Sequence, residues 1–276
     1  MKCIEISNPQ RLIYPQENIT KLDVINYYKS VSKLMLPYIS NRLLSVIRCH
    51  SDILGSTFFK KHPNIKSEHI KIFNKNGEAF FYITSAEGLI LEAQNGTVEF
   101  HMGGSSITDI NNPNYMVFDL DPDEKLNIDT LRQGVIYLKK LLDELNLKSF
   151  LKTSGGKGYH VVVPFKTSTS WQKFNDTAKQ IAIVLEAKHP KLYTTNIRKN
   201  NRHGKIFIDY LRNDKGSTCV APYSLRARPH APVSMPILWS ELTKIKPDQI
   251  TLPLALKKIK NKNPWQDFWK TTETIK

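Results

Sequence analysis

The chain has 276 residues, 40% of them hydrophobic and 10% aromatic, with 40 Lys and Arg against 25 Asp and Glu for a net charge of +15. That length can bury a sizeable core, as one large domain or two intimate ones, and the composition excludes a disordered chain. No apolar run approaches the ~20 residues of a bilayer span, so no membrane partner is expected.

Taken in chain order, Met1-Lys2-Cys3-Ile4-Glu5 lacks the apolar core of an export signal. Cys3, Cys49 and Cys219 have no zinc-site spacing, and their odd number suits a reducing compartment. Asn8-Pro9 reads as a turn. Thr20 and Asp23 have capping-box spacing, opening a helix of Leu22, Ile25, Tyr28 and Leu34 that should end near Pro37. Strand-like runs follow at Leu43–Arg48, Ser56–Phe59, Ala79–Ile83 and Val98–His101, with Asn76-Gly77 and Asn95-Gly96 as turn signals. Phe58-Phe59-Lys60-Lys61 interleaves aromatics with cations, as nucleic-acid stacking platforms do. Adjacent strand residues face opposite sides, so at least one of the two phenylalanines should be core.

The run Tyr115-Met116-Val117-Phe118-Asp119-Leu120-Asp121 reads as a strand ending in two carboxylates on one face. Buried like charges are costly, and a divalent cation between them removes the cost. A helix over Ile128–Asn146 places Leu131, Val135, Leu138, Leu142 and Leu145 at helical spacing. Next come a strand at Ser149–Thr153, the loop Ser154-Gly155-Gly156-Lys157-Gly158 and a strand at Tyr159–Phe165. Alternation puts His160 on one face with Val162. The loop offers a hydroxyl, N–H groups and a lysine to phosphate oxygens but lacks the P-loop order, and a plain hairpin would read the same way. A second amphipathic helix runs from about Ser170 to Lys188.

From 187 to 208 there is no acid, while Lys188, Lys191, Arg198, Lys199, Arg202 and Lys205 accumulate; Lys257, Lys258, Lys260 and Lys262 follow later. Such clustering favours a polyanionic partner, with nucleic acid foremost. The strand Lys205–Tyr210 repeats the apolar-then-acid pattern with Asp209. Three acids on adjacent strands would bridge two divalent ions, and oxygen ligands suit Mg or Mn. A single Asp at a strand end is more often a turn residue. Arg202, Arg226 and Arg228 could clamp phosphates bidentately or simply be solvated. The remainder is irregular to about Pro236 and helical around Trp239–Leu242. The whole reads as α+β, a mostly antiparallel sheet flanked by helices.

Four ordered motifs carry a resemblance: Val117-Phe118-Asp119-Leu120-Asp121-Pro122, Leu151 to Pro164, Phe207 to Asn213, and Ala221 to Arg228. Together they resemble the polymerase domain of bacterial ligase D, within the archaeo-eukaryotic primase superfamily. The likeness runs from Asn8-Pro9 to Leu242. It implies one primase-polymerase domain over 1–276, with a DNA- and template-side subregion 1–110, a catalytic core 111–245 and a basic tail 246–276. It implies a cytoplasmic, nucleoid-associated nucleotidyltransferase that fills gaps and extends ends in break repair by end joining, with ribonucleotides preferred and Mn favoured. Carried over by position, Asp119, Asp121 and Asp209 would hold two metals, and Ser154, Lys157, His160, Arg202 and Arg226 would grip the nucleoside triphosphate. Arg11 and Lys21 would hold the 5′-phosphate of a downstream strand; family members usually have lysine at the first. Phe58 and Phe59, with Lys60 beside them, would handle DNA. A separate DNA ligase and a Ku-type end-binding protein are the implied partners.

The chain departs from the pattern after His101, where Met102-Gly103-Gly104 replaces a frequent tryptophan. Three other readings remain at this stage. A primase would start strands de novo, an Asp-x-Asp glycosyltransferase would need no nucleic-acid primer, and a non-catalytic end-bridging module would have no use for intact acids.

Overall fold

The computed structural model describes residues 4–166, 169–270 and 273–275, so Cys3 and the first two residues of the N-terminal reading lie outside it. Two compact units share the chain. The first comprises Met1–Gly103, Val220–Met235 and Ile250–Asn263, and the second Gly104–Cys219, Pro236–Gln249 and Pro264–Lys276.

In the first unit the helix Lys21–Ile39 opens with the expected capping box. Thr20 Oγ1 accepts the Asp23 N–H at 3.2 Å, and the Asp23 carboxylate accepts the Thr20 N–H at 2.8 Å. As expected the helix ends near Pro37, at Ile39; Pro37 lies in its last turn, which closes with Ser40 N–H donating to Leu36 O. Strands Thr57–Lys60, Leu44–Cys49 and Thr97–Gly103 lie antiparallel in that order. Asn76 and Gly77, at φ 51° and 80°, turn the hairpin Lys71–Lys75/Glu78–Tyr82, whose first strand sequence reasoning missed. Asn95-Gly96 makes no hairpin: it terminates a helix, Ala86–Gln94, whose nine residues are too few for periodicity to reveal.

The second unit is built on a six-stranded sheet in the order Tyr193–Thr194, Ile206–Asp209, Tyr115–Pro122, Tyr159–Pro164, Phe150–Thr153, Pro236–Ile237. All pairings are antiparallel except the first. Helices Ile128–Glu144 and Trp171–Lys188 pack on it, capped by Asn127 and Ser170. Leu131, Val135, Leu138 and Leu142 are buried as expected, but Leu145 caps the helix and is 47% exposed. A Cβ on Gly134 would stand 2.4 Å from Ile206 Cδ1, so the first helix lies against the Ile206 and Ile208 side of the sheet. Strand alternation then puts Phe207 and Asp209 on the other face. Among the described residues no helix is long and apolar enough to cross a membrane. The 246–276 stretch contributes a helix, Leu252–Lys258, and the buried Trp265 and Phe268.

Candidate functional site

The register of the central strands assembles the site. Asp209 is the direct cross-strand partner of Asp119, and Phe207 that of Asp121. On the other flank His160 is the partner of Asp119. Directly paired residues share a face, as do residues i and i+2, so Asp119, Asp121, Asp209 and His160 all project from the side away from Gly134. The side chains of Asp119 and Asp209 are 19% and 14% exposed, while Asp121 is open to solvent.

Such a cluster is electrostatically strained. Burial pushes the Asp119 carboxyl up to about 6, with Asp209 and Asp121 adding to the shift and Arg212 and Lys152 opposing it. Hard oxygen donors with surplus negative charge fit Mg or Mn. Among the described residues no group of three or more His, Cys, Asp or Glu side chains is positioned to hold a metal ion.

His160 is held on both ring nitrogens. Nε2 lies 3.4 Å from Asp119 Oδ1, and Nδ1 lies 3.1 Å from the buried Cys219 Sγ. The preceding loop folds around one hydroxyl: Ser154 Oγ accepts N–H groups from Gly156 at 3.0 Å and Gly158 at 3.3 Å. Two of the amides expected to face phosphate therefore already have an acceptor. Gly158 is required, because a Cβ there would stand 2.0 Å from the Leu120 carbonyl oxygen. The exposed Lys157 ammonium pairs with Glu124 at 2.5 Å. The Arg202 guanidinium carbon lies over the Phe207 ring, 3.5 Å from its centroid, with Nε donating to Asn196 O. Since Phe207 shares the face of Asp121, this guanidinium belongs to the acidic side of the sheet.

The other candidates lie in the first unit. Arg226 Nε is 3.0 Å from Glu99 Oε2, and Glu99 also meets His101 Nε2 at 2.9 Å and the Ala227 N–H at 2.8 Å. Arg228 is exposed. Lys21 is the first residue of its helix, buried, donating from Nζ to Ser7 O at 2.6 Å. Its N–H donates to Arg11 O. Burial and the neighbouring Arg11 both push the Lys21 pKa down. Arg11 Nη1 donates to His50 O, and its buried Nε has no acceptor among the described residues.

Phe58 and Phe59 are 45% and 51% exposed, so neither is core. Their strand flanks Leu44–Cys49, and Arg48 and Lys61 lie over the two rings at 5.4 and 5.7 Å. Lys60, read from sequence with the two phenylalanines as a DNA contact, is placed differently from them. Its ammonium is buried, 2.9 Å from Glu92 Oε1 and 2.7 Å from Asn64 Oδ1, so the charge neutralises a buried acid.

A model of the LigD primase-polymerase domain matches residues 20–269. The chain belongs to this family. Over 99% of its length it is 35% identical to the multifunctional non-homologous end joining protein LigD of Pseudomonas aeruginosa, of which it covers 34%. To the bifunctional non-homologous end joining protein LigD of Bacillus subtilis it is 27% identical over 98% of its length, covering 45% of that protein. It thus spans about a third to less than half of these relatives. The solved polymerase domain from Mycobacterium tuberculosis ligase D in complex with DNA matches it with a TM-score of 0.90 at 27% identity, covering 99% of this chain and all of that one. The α+β reading, with its mostly antiparallel sheet, is borne out.

In this LigD-type domain three site residues escaped sequence reasoning. Lys152, 1% exposed, is the cross-strand partner of His160 and so shares its face. Alternation from His160 could have found it. Arg212, three residues beyond Asp209, brings its Nε to 3.1 Å from Asp209 Oδ2 and 4.0 Å from Asp119 Oδ2. Cys219 looks in sequence like any apolar strand residue and carries no signal.

Proposed function

We propose that the chain is a template-directed nucleotidyltransferase that extends DNA ends and fills gaps in double-strand break repair by end joining, using Mn or Mg and favouring ribonucleotides. One observation carries this reading: Asp209 stands opposite Asp119 in register, with Asp121 on the same face. Family membership and the DNA-bound structural relative support it.

Asp119, Asp121 and Asp209 are the residues that would hold two divalent cations. Bound there, the cations would supply activation of a primer 3′-hydroxyl and charge neutralisation at the α-phosphate and the departing pyrophosphate. The chain's own groups orient the nucleotide. Arg202, immobilised on Phe207, presents a cation beside Asp121, and Lys157 can exchange Glu124 for a phosphate. His160, fixed between Cys219 and Asp119, holds a ring edge beside the reacting groups.

In the first unit, Arg11 and Lys21 crowd two cations at a helix N-terminus, where the helix dipole adds positive potential. This combination suits the 5′-phosphate of a downstream strand. Exposed Phe58 and Phe59 under their cations suit stacked bases. A separate ligase and a Ku-type protein complete the proposed setting, on the chromosome inside the cell.

The test is labelled primer–template extension with ribo- and deoxyribonucleotides, with Mg and with Mn, with and without a downstream 5′-phosphate, plus a primer-free arm. Template-dependent extension stimulated by the phosphate is expected. Product without a primer would favour a primase, and no extension with any metal would overturn the proposal.

A further inference from the structure

Arg212 is placed in a way that the catalytic reading does not use. Asp209 has both carboxylate oxygens occupied by its own turn: Oδ1 accepts the Leu211 N–H at 3.0 Å, and Oδ2 receives Arg212 Nε at 3.1 Å. The turn is clamped from below. Beyond Asp209 the strand Ile206–Asp209 ends, and the Asn213 side chain takes over its pairing, accepting the Val117 N–H and donating to Val117 O, both at 2.8 Å. The backbone of Arg212 is thereby fixed while its side chain remains 46% exposed.

Charge decides what must move. Three carboxylates share this face with Lys152, Arg212 and, over Phe207 beside Asp121, Arg202; of these cations Arg212 is the one paired with Asp209. A divalent ion at Asp209 would meet a guanidinium 3.1 Å from the oxygen it needs, and like charges at such range repel strongly in a partly buried site. Lys152 is 1% exposed and cannot withdraw. Arg212 can, because its side chain is 46% exposed.

We propose that Arg212 is a displaceable counter-ion, neutralising Asp209 and Asp119 in the metal-free protein and leaving the Asp209 carboxylate when divalent metal binds. Metal affinity is then set by competition with a tethered guanidinium as well as by the acids. The inference rests on the assignment of the three acids as the metal set.

Calorimetric titration of Mn2+ into the full chain without nucleotide tests it. Arg212→Gln should bind Mn2+ about tenfold more tightly than wild type, as expected for removal of one close competing charge. In chelator the same variant should unfold at a lower temperature than wild type, a difference that saturating Mn2+ removes. Equal or weaker Mn2+ affinity in Arg212→Gln would overturn the proposal. A measurement on the wild-type protein does not depend on the variant folding: the Arg212 Nε–H resonance should shift as Mg2+ saturates the site, and an unmoved resonance would overturn it as well. Asp209→Asn separates the two levels. If it binds Mn2+ as wild type does, the metal assignment itself fails; if it loses Mn2+ while Arg212→Gln is unchanged, only the role of Arg212 fails.

Discussion

Asp119 and Asp209 are directly opposed on neighbouring antiparallel strands, so two carboxylates meet where backbones lie only about 4.5–5.5 Å apart. Nothing in a stable sheet favours that pairing. Replacing Asp119 by Asn should abolish nucleotide addition, lowering kcat by at least about 10³. In metal-free buffer at pH 7 the same change should raise stability by roughly 1–3 kcal/mol, since an ionised carboxylate with a raised pKa destabilises the folded state. Denaturant titration in chelator measures the gain, and a loss of stability would show the acid to be structural.

Gly158 and Gly204 make a matched pair. At Gly158 a methyl group would run into the Leu120 carbonyl, whereas Gly204 has open space and only a positive φ of 68°. Gly204→Ala should cost about 1 kcal/mol from backbone strain alone. Gly158→Ala should cost clearly more and, by spreading the strands that carry Asp121 and His160, should also depress activity. Urea midpoints of the two variants give the comparison.

Lys60 and its exposed neighbours should separate cleanly. Lys60→Ala leaves the buried Glu92 without its counter-ion, the Thr97 hydroxyl still donating to it, so about 3–5 kcal/mol of stability should be lost while the salt dependence of DNA binding stays unchanged. Phe58→Ala with Phe59→Ala should do the opposite, weakening single-strand binding with little change in melting temperature. Fluorescence anisotropy on a labelled oligonucleotide, alongside thermal melts, distinguishes them.

Arg11→Ala combined with Lys21→Ala should erase the preference for a gap with a 5′-phosphate over the same gap without one. Competition binding with the two gapped duplexes measures it. A retained preference would place the phosphate contact elsewhere.

Glu99 predicts a pH dependence. Burial alone would raise its pKa, but the His101 hydrogen bond, Arg226 and the Ala227 N–H together hold it below the ordinary value. A depressed acid stabilises the fold above its unfolded pKa, so this contribution is complete near neutrality. It should fade as pH falls below about 4.3 towards the lower folded value. Glu99→Gln should flatten that acid limb of the stability curve.

Local elements and the choice of the three acids follow from residue order alone. Alternation along Tyr115–Pro122 sets Asp119 and Asp121 on one face, and the Thr20–Asp23 spacing predicts a cap that the structure contains. These are short-range consequences of strand and helix geometry. Which strands become neighbours is a long-range matter, and only the tertiary structure brought Asp209, His160 and Lys152 to the face of Asp119. The same limit explains the misread residues. Lys60 and Phe59 are adjacent and equally suited to a nucleic-acid platform, but packing gave one a buried acid for a partner and left the other in solvent. Arg212 was visible within its motif, yet its role depends on an ion pair that forms only when the turn after Asp209 is clamped onto Val117.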